Sequence, residues 1–296
     1  MTPRLDVAAK ALDAETSTDI TERPEGSNII KSSEEDLARG IKSNRGKFVS
    51  RNACEECVHA ANALLHANYN DEPDPAVKAT VEQLVDTSKV IELEHIDLAS
   101  LPKKPIYRFV KRAFDIISCS CALVLCAIPM GVIAIMVKCD SPGPVFYRQE
   151  RLGLMGKPIV VTKFRSMRTD AEAMGAQWAQ GEDPRVTKIG AFLRKTRLDE
   201  LPQFWAVVKG DMSLIGPRPE REVFYQEFEK YIHGFSERMY AKPGVTGLAQ
   251  VNGGYDLLPE EKVLYDFEYI KYCSVSMDWK IIWKTLSVLF THEGAR

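Results

Sequence analysis

The chain has 296 residues, enough for one sizeable domain with an appendage or for two modest domains. Its 39 basic and 41 acidic residues nearly cancel, and we expect no nucleic-acid partner. The charges are unevenly distributed, because residues 1–100 contain 11 Lys and Arg against 19 Asp and Glu, whereas residues 103–168 contain 12 against 3. These two segments are therefore suited to different surroundings.

The first forty residues are rich in Ser, Thr, Glu and Asp and lack an apolar core, which predicts no cleavable signal peptide and a cytoplasmic N-terminus. Residues 1–46 have low apolar density and no sustained period, a composition typical of disorder. Short helices are predicted at Ala53–Asn68 and Val77–Val90, before a linker at Leu101–Pro105. We therefore divide the chain into an acidic, partly disordered extension (1–103) and a domain (104–296).

Cysteine usage argues against a disulfide framework. Of seven cysteines, four lie in or beside an apolar run, where cysteine acts as a small hydrophobic residue: Cys119, Cys121, Cys126 and Cys139. The segment Cys54-Glu-Glu-Cys57-Val-His59 is a weak metal pattern that only His66 or His95 could complete. We predict no zinc site there, because a second cysteine pair is missing from the sequence.

The apolar run from Phe114 to Val137 has 24 residues and one charge, Asp115. A straight helix of this length reaches roughly 36 Å, enough to cross a hydrocarbon core of about 30 Å. Pro129 lies in the middle of the run and should kink or break the helix. Both flanks are basic and prefer the cytoplasmic side. A kinked spanning helix and a re-entrant helix over about 112–138, broken at Pro129, both remain open.

Strands are predicted at Val145–Arg148 and Ile159–Met167, on either side of a turn at Gly153–Gly156. From Asp170 onward the periodicity is helical. Near the C-terminus, Met277–Phe290 predicts a helix with one broad apolar face made of Trp279, Ile281, Ile282, Leu286 and Leu289. That face suits a membrane interface and a protein core equally well.

Asp199 and Glu200 are the first candidates for chemistry. Four apolar residues at helical spacing follow them and predict a buried stripe: Leu201, Phe204, Trp205 and Val208. Because Pro202 is tolerated only in a first turn, the helix should begin close to Leu198. Both acids then lie at a helix N-terminus, which binds phosphate and should keep the pKa of Asp199 low. The alternative is that they only cap the helix.

Basic residues near this acid pair indicate an anionic substrate. Arg194 and Arg197 come just before it, and strand alternation makes Lys163 and Arg165 project together. Arg218 lies between two prolines in a rigid loop, and its guanidinium fork suits a phosphate or a base edge. A diphosphate substrate would account for all three groups.

Five motifs occur in order: Lys163-Phe-Arg-Ser-Met167, Leu198-Asp-Glu-Leu-Pro-Gln203, Lys209-Gly-Asp-Met-Ser213, Gly216-Pro-Arg-Pro219 and Pro243-Gly-Val-Thr-Gly-Leu-Ala-Gln-Val-Asn-Gly253. This series resembles that of the bacterial sugar transferase family, the monotopic phosphoglycosyl transferases, over roughly Lys104 to Phe290. The resemblance implies an α+β, mainly helical catalytic domain on the cytoplasmic face of the bacterial inner membrane. A re-entrant helix broken near a proline would hold it there.

The resemblance also implies a reaction and its partners. A hexose-1-phosphate passes from a UDP-sugar to polyprenyl (undecaprenyl) phosphate with release of UMP, which initiates exopolysaccharide, capsule, O-antigen or other glycan assembly. Asp199 would be the nucleophile that forms a covalent aspartyl-phosphosugar intermediate, assisted by Glu200 and by Mg²⁺ bound at Asp199. The resemblance further implies catalytic roles for Lys163 and Arg194. It implies substrate-binding roles for Arg165, Arg197, Arg218, Pro219 and Lys242.

Some positions depart from the family pattern, namely Ile128, Lys242, Leu248 and Gly254. They bear on the sugar and nucleotide contacts more than on the core chemistry. Two alternatives stay open: a UDP-sugar glycosyltransferase without a covalent step, and a non-catalytic membrane scaffold. In the scaffold, the acidic extension would recruit partners and the basic zone would bind anionic lipid.

Overall fold

The computed structural model describes residues 75–172 and 183–291. The described residues are mainly helical with short strands, which confirms the predicted α+β class. The helices are α1 (Pro75–Leu84), α2 (Pro105–Leu125), α3 (Ala127–Asp140), α4 (Lys188–Thr196), α5 (Gln203–Lys209), α6 (Glu222–Glu229), α7 (Leu248–Val251), α8 (Pro259–Tyr272) and α9 (Val275–Thr291). The helix predicted at Ala53–Asn68 and the disorder predicted for 1–46 lie outside the described residues.

The strands form three two-stranded sheets within the described ranges. They are β1 (Ile91–Glu92), β2 (Phe146–Leu152), β3 (Pro158–Phe164), β4 (Ser213–Ile215), β5 (Ile232–His233) and β6 (Gly244–Thr246). Strands β2 and β3 form an antiparallel hairpin in which Tyr147 faces Lys163, whereas β1 pairs with β5 and β4 with β6 in parallel. The hairpin was predicted, but β3 ends at Phe164 rather than Met167.

Helices α2 and α3 form a bent pair with an angle of 61°. Within residues 75–172 and 183–291, no single helix combines the length and apolar character needed to cross a membrane, and this pair meets both only together. The break lies at Cys126, so the prediction that it lies at Pro129 was wrong by about one turn. Proline removes its own N–H and clashes with the carbonyl four residues earlier, here that of Leu125, and the disruption therefore precedes Pro129.

One side of the bent pair packs on the domain and the other is exposed. Cys119, Ile133 and Val137 are buried against α4, α5 and the hairpin. Asp115 is also buried, where it accepts hydrogen bonds from Ser213 Oγ at 2.8 Å and from the Leu214 N–H at 3.1 Å. We call the exposed side the apolar shell, made of Ile106, Phe109, Ile117, Val124, Leu125, Ile128, Val132 and Ile135.

The largest hydrophobic cluster lies apart from the bent pair. We call it the rear core, made of Val77, Val81, Val85, Leu93, Ile96, Leu152, Phe224, Tyr225, Phe228, Ile232, Phe235, Met239, Val263, Phe267 and Ile270. Residues 75–96, which include α1, contribute five of these side chains, and β1 pairs with β5. Residues on both sides of the predicted boundary at 103–104 therefore share one core. Helix α1 ends at Leu84, shorter than the predicted Val77–Val90.

Helix α9 divides its apolar residues between two faces. Ile281 is buried against β4 and α8, whereas Trp279, Trp283 and Leu286 are exposed. The single broad face predicted from Trp279 to Leu286 was therefore wrong, because residues 279 and 281 lie about 200° apart on a helix of 3.6 residues per turn. The helix packs on the core with one face and presents tryptophans on the other.

Candidate active site

Helix α4 immediately precedes the acid pair, Asp199 and Glu200, and fixes its position. Its first turn is capped by Thr187, whose Oγ1 accepts a hydrogen bond from the Gly190 N–H at 3.0 Å. Gly190 itself lies so close to the Ser166 carbonyl that a Cβ would stand 1.9 Å from that oxygen, which ties α4 to the end of β3. The helix ends at Arg197, which has a left-handed backbone with φ 56°. This reversal aims the next three residues away from the axis of α4.

Asp199 and Glu200 lie in a 3₁₀ turn, Leu198–Glu200, between α4 and α5. Helix α5 begins at Gln203, so the predicted helix start near Leu198 was wrong. Pro202 forms the N-cap of α5 and cannot donate the hydrogen bond that would extend the α-helix backward. The predicted stripe was wrong in part: Leu201, Phe204 and Val208 are partly buried against hydrophobic clusters, but Trp205 is 65% exposed. The fully buried side chains of α5 are Gln203, Ala206 and Val207.

The far end of α5 is fixed by a residue of the bent pair. Arg112 on α2 donates hydrogen bonds to the carbonyls of Val207 at 2.6 Å and Val208 at 2.8 Å. These carbonyls belong to the last turn of α5, where helix carbonyls have few partners along the backbone, and that of Val207 also accepts a hydrogen bond from the Gly210 N–H at 3.1 Å. Gly210 then ends the helix with φ 103°, a conformation that favours glycine. The bent pair therefore supports the short helix that follows the acid pair.

Glu200 is held by two cations. Lys163 Nζ and Arg218 Nη2 each donate to Glu200 Oε1 at 2.6 Å, and Glu200 is 8% exposed. Burial alone would raise the pKa of Glu200, but the charges of Arg218 and Lys163 outweigh it and hold that pKa well below the ordinary value. Glu200 is therefore ionised, and it orders a lysine from β3 and an arginine from the loop after β4.

Asp199 is 6% exposed and has a different environment. Burial raises its pKa to about 6; the positive charge of Lys163 opposes this, and the negative charge of Glu200 adds to it. The predicted low pKa was therefore wrong, because desolvation outweighs the nearby cations. Among the described residues, none forms a hydrogen bond or ion pair with the Asp199 carboxylate. It is still mostly ionised near neutral pH and is available to a ligand.

Both acids line a cavity of about 450 Å³. Among the residues that the structure describes, its wall contains four acidic side chains, Glu172, Asp199, Glu200 and Glu220. The same described ranges contribute eleven basic side chains to the wall: Arg151, Lys163, Arg165, Arg168, Arg185, Arg194, Arg197, Arg218, Arg221, Arg238 and Lys262. Such an excess of positive charge in a concave site attracts and concentrates anions.

The structure brings most of the predicted site residues into this cavity. Lys163, Arg194, Arg197 and Arg218 line it together with the acid pair. Pro219 and Lys242 are not among the described residues of its wall. Pro219 is buried and its carbonyl accepts a hydrogen bond from Arg151 Nη1 at 2.6 Å. Lys242 lies near Arg112 and Asp115 of α2, and burial lowers its pKa.

Arg165 touches the cavity but is directed elsewhere. Its Nη1 donates to the Pro142 carbonyl at 2.5 Å and its Nη2 to the Ser141 carbonyl at 2.7 Å. The expectation that Lys163 and Arg165 project together was therefore wrong: β3 ends at Phe164, and the alternation stops before Arg165. Arg165 joins the hairpin to the segment that follows α3.

Comparison with known proteins agrees with this geometry. The bacterial sugar transferase model matches residues 106–292. The chain belongs to the bacterial sugar transferase family. A UDP-N-acetylgalactosamine-undecaprenyl-phosphate N-acetylgalactosaminephosphotransferase of Aeromonas hydrophila is 42% identical over 223 residues, covering 74% of this chain and 53% of the relative. A UDP-glucose:undecaprenyl-phosphate glucose-1-phosphate transferase of Escherichia coli (strain K12) is 39% identical over 244 residues, with the same coverages.

This family member thus spans about half the length of those two curated relatives. A shorter relative from Bacillus subtilis (strain 168) is 47% identical over 162 residues, which is 54% of this chain and 90% of the relative. Its name, provisionally assigned, is undecaprenyl-phosphate N-acetylgalactosaminyl 1-phosphate transferase. The shared region therefore makes up nearly all of one family member.

The structure adds residues that the sequence did not single out in this sugar transferase. Arg185, Arg221 and Arg238 line the cavity, as do Tyr147 and Arg151 of β2. On β2 both faces are polar, so alternation gave no signal. The hairpin register, which sets Tyr147 opposite Lys163, could have indicated that odd-numbered residues of β2 share the face of Lys163. Arg238 lies beyond the recognised motifs and carried no signal of its own.

A divalent cation is compatible with Asp199. The described residues contain no group of three or more His, Cys, Asp or Glu side chains able to hold a metal by themselves. Mg²⁺, however, is commonly bound by one or two carboxylates together with substrate phosphates and water. Asp199 is the carboxylate that fits, because Glu200 is already engaged by Lys163 and Arg218.

Proposed function

We propose that the protein transfers a hexose-1-phosphate from a UDP-sugar to polyprenyl (undecaprenyl) phosphate and releases UMP, through a covalent intermediate on Asp199. The observation that supports this most directly is the Asp199 carboxylate, which has no hydrogen-bond or ion-pair partner among the described residues and lies in the wall of a strongly basic cavity. The names of the two longer relatives include UDP-sugar donors and undecaprenyl-phosphate acceptors, in agreement with the proposal.

In the first step, an oxygen of Asp199 attacks the β-phosphorus of the UDP-sugar. An Asp–phosphorus bond forms, and the bond between the β-phosphorus and the bridging oxygen breaks, so that UMP leaves with that oxygen. In the second step, an oxygen of polyprenyl phosphate attacks the same phosphorus. The Asp199 carboxylate is regenerated and the product is a polyprenyl diphosphate sugar. Covalent catalysis thus divides a transfer between two bulky anions into two simpler displacements.

The surrounding residues have distinct roles in this scheme. Lys163 and Arg218 each donate a hydrogen bond to Glu200, and in this scheme their positive charges stabilise the phosphates. Arg194 reduces the negative potential around Asp199, since its charge lowers the pKa of that carboxyl. Glu200 holds the two cations in place before substrate arrives, and preorganised charge of this kind stabilises a transition state. Mg²⁺, held by Asp199 and the substrate phosphates, would supply further neutralisation of phosphoryl charge.

We further propose that α2 and α3 form a re-entrant membrane segment that holds the cavity on the cytoplasmic face of the bacterial inner membrane. Supporting features are the 61° bend, the exposed side chains of the apolar shell and the basic residues at both ends of the pair. Positive charge prefers the cytoplasmic side. Exposed Trp279 and Trp283 on α9 suit the membrane interface.

The mechanism is tested by replacing the attacking carboxylate. Asp199→Asn should reduce UMP release to background in purified protein supplied with undecaprenyl phosphate and UDP-glucose, UDP-galactose or UDP-N-acetylgalactosamine. The parent protein should also become labelled by a UDP-sugar carrying a radioactive β-phosphate, and the variant should not. Asp86→Asn, a change at an exposed aspartate on the surface, is the matched control and should keep full activity.

The alternatives give different results in the same assay. A glycosyltransferase without a covalent step would release UDP instead of UMP and would leave Asp199 unlabelled. A scaffold would release neither nucleotide, and Asp199→Asn would change nothing. Substantial turnover by Asp199→Asn would reject the covalent mechanism.

Topology is tested with single cysteines at Ser100 and Ser141, in a background in which the native cysteines are replaced. Both sites should be protected from a membrane-impermeant thiol reagent in intact cells and labelled after permeabilisation. Pro129→Leu restores an N–H donor for the Leu125 carbonyl and should straighten the pair, exposing one site. Labelling of either site in intact cells carrying the parent sequence would reject the re-entrant arrangement.

A further inference from the structure

The loop that carries Arg218 follows β4 and is held from two sides. Its Pro217 carbonyl accepts a hydrogen bond from the Gly244 N–H at 2.9 Å. The carbonyls of the next two residues, Arg218 and Pro219, are each bonded by an arginine side chain from another part of the chain. The Arg218 guanidinium then reaches Glu200 Oε1 at 2.6 Å. The backbone of this loop is therefore fixed at three consecutive carbonyls.

Arg238 is one of the two arginines. It lies in the 3₁₀ helix Phe235–Tyr240 and is 3% exposed. Its Nε and Nη2 contact Asp266 Oδ2 of α8 at 2.8 and 2.6 Å, and its Nη2 also donates to the Arg218 carbonyl at 3.4 Å. Asp266 is only 1% exposed. A buried charge pair of this kind is strongly disfavoured unless both partners stay together, so the guanidinium has little freedom.

Arg151 of β2 is the second arginine. Its Nη1 donates to the Pro219 carbonyl at 2.6 Å and contacts Glu220 Oε2 at 3.3 Å. The Leu152 N–H donates to the Glu220 carbonyl at 3.0 Å. The hairpin thus hydrogen-bonds to the C-terminal side of the loop, while Arg238 hydrogen-bonds to the carbonyl of Arg218 itself. Arg238 is the partner that acts directly at the residue whose side chain enters the site.

We propose that Arg238, locked by Asp266, is a positioning residue that holds the backbone of Arg218 so that its guanidinium reaches Glu200 and the donor diphosphate. This inference rests on the proposed function of the cavity. It assigns to a residue outside the recognised motifs a role in catalysis through another residue. Arg238 faces the cavity, but two of its nitrogens are engaged with Asp266 and the loop. That geometry points to positioning rather than to substrate contact.

A double-mutant cycle tests the coupling between the two arginines. Lysine at 238 keeps the charge beside Asp266, but a compact ammonium does not reproduce the rigid guanidinium fork that reaches both Asp266 and the loop. A displacement of the Arg218 guanidinium by up to about 1 Å should slow catalysis. We therefore expect Arg238→Lys to lower kcat/KM for UMP release about tenfold. In an Arg218→Lys background the same change should cost less than about twofold, because the group being positioned is gone.

The control is Lys230→Met. This change breaks an ion pair with the buried Glu227 on α6, near the rear core but away from the Arg218 loop. Its effect on UMP release should be the same factor in both backgrounds, whatever its effect on melting temperature. Asp266→Asn should behave like Arg238→Lys, since it releases the same guanidinium. If Arg238→Lys lowers kcat/KM by equal factors with and without Arg218, the positioning role is rejected.

Hydrogen exchange gives a readout independent of activity, on the full-length protein in detergent. The amides of Gly216, Arg218, Glu220 and Arg221 should exchange at least about tenfold faster in Arg238→Lys than in the parent, and at parental rates in Lys230→Met. Absence of UMP release by the parent would reject the proposed reaction and leave this measurement standing. Unchanged exchange in Arg238→Lys would reject the inference even if the reaction is confirmed.

Discussion

Phe228 and Phe109 are both helical phenylalanines of one chain, yet Phe228 is 0% exposed and Phe109 is 76% exposed. Phe228 belongs to the rear core, where its ring lies 4.9 Å from that of Phe235 and 6.2 Å from that of Phe224. Phe109 belongs to the apolar shell of the bent pair. A chain folding in water alone would gain by burying both, at about 25 cal/mol per Å² of apolar surface.

The difference in exposure between the rear core and the apolar shell fits a protein that contacts water in one region and lipid in the other. The rear core is closed by elements from distant parts of the sequence, including α1, α6 and α8, and excludes water. The apolar shell is contiguous along one side of α2 and α3, and large contiguous apolar patches on a protein surface mark interaction sites. Under the proposed topology, lipid covers the shell. The cavity has Phe224 of the rear core in its wall, while Arg112 of α2 supports α5 and Arg238 holds the Arg218 loop.

The largest effect is expected from N-terminal deletions that remove part of the rear core and leave the apolar shell intact. Removing residues 1–74 should leave the melting temperature of the protein unchanged in detergent, because it spares the whole rear core. Extending the deletion to Ser100 removes five buried side chains, each contributing about 1.5–3 kcal/mol. Total stability is typically 5–15 kcal/mol, so the longer deletion should prevent folding.

Circular dichroism and size-exclusion chromatography of the two truncated proteins check this expectation. A well-folded protein that begins at Leu101 would show that α1 and β1 are accessory to the rear core. Loss of structure in the protein that begins at Pro75 would show the reverse, that residues 1–74 are required for folding.

Substitution of one phenylalanine in each region compares how much the rear core and the apolar shell contribute to the free energy of unfolding. Phe228→Ala should lower the free energy of unfolding by about 3–5 kcal/mol, through lost burial and the cavity left behind. Phe109→Ala removes the same atoms from an exposed position and should change it by no more than about 0.5 kcal/mol in detergent. Denaturant titration of both variants measures the difference. Equal losses would mean that Phe109 is buried by a contact other than lipid or detergent.

Lysine substitutions probe depth along the apolar shell. Ile128 is 82% exposed beside the break, and Ile106 is 79% exposed near the basic start of α2. If the pair is re-entrant, Ile128 lies deepest, and lysine there should cost about 3 kcal/mol of membrane insertion. Lysine at Ile106 can extend its ammonium to the interface and should cost little. The fraction of each variant that remains in alkali-washed membranes measures this, and equal retention would contradict the depth difference.

The sequence predicted those parts of the fold that depend on a local pattern of residues. The β2–β3 hairpin follows from β-rich runs around glycines, and the apolar run from its composition. Long-range packing could not be predicted in the same way. Whether Trp205 is buried depends on which neighbours cover α5, and helical spacing alone placed it wrongly in the core. The break was assigned to the proline rather than to Cys126, although proline acts on the preceding turn.

In the candidate site, too, the residues in local motifs were predicted, and the properties that depend on long-range packing were not. Lys163, Asp199, Glu200 and Arg218 belong to recognised motifs and meet in the cavity. The pKa of Asp199 was misjudged, because burial of a carboxyl depends on the whole surrounding fold and a helix N-terminus is only one contribution. Arg238 was missed, since its role depends on a carboxylate on α8 and on a carbonyl in the loop after β4.

The smallest expected effect lies at the polar rim of the rear core, where His95 meets Glu237. His95 Nδ1 lies 2.5 Å from Glu237 Oε1, and the Ile96 N–H donates to Glu237 Oε2 at 2.7 Å. The hydrogen bond and charge of Glu237 raise the pKa of His95, with smaller contributions from Glu92 and Glu229. Protonated His95 therefore helps to hold the segment after β1 on the 3₁₀ helix that carries Arg238.

The sign of the pH dependence follows from this raised pKa. The stabilisation is fully present below the ordinary histidine pKa of about 6.5 and is lost as pH rises through the higher pKa of the folded state. Because the His95 side chain is 74% exposed, the effect should be no more than about 1 kcal/mol. The parent should thus lose stability relative to His95→Gln between pH 6 and pH 8, measured by denaturant titration in detergent. A parent-to-variant difference that stays constant across that range, or grows toward pH 8, would show that the pair does not anchor this segment through charge.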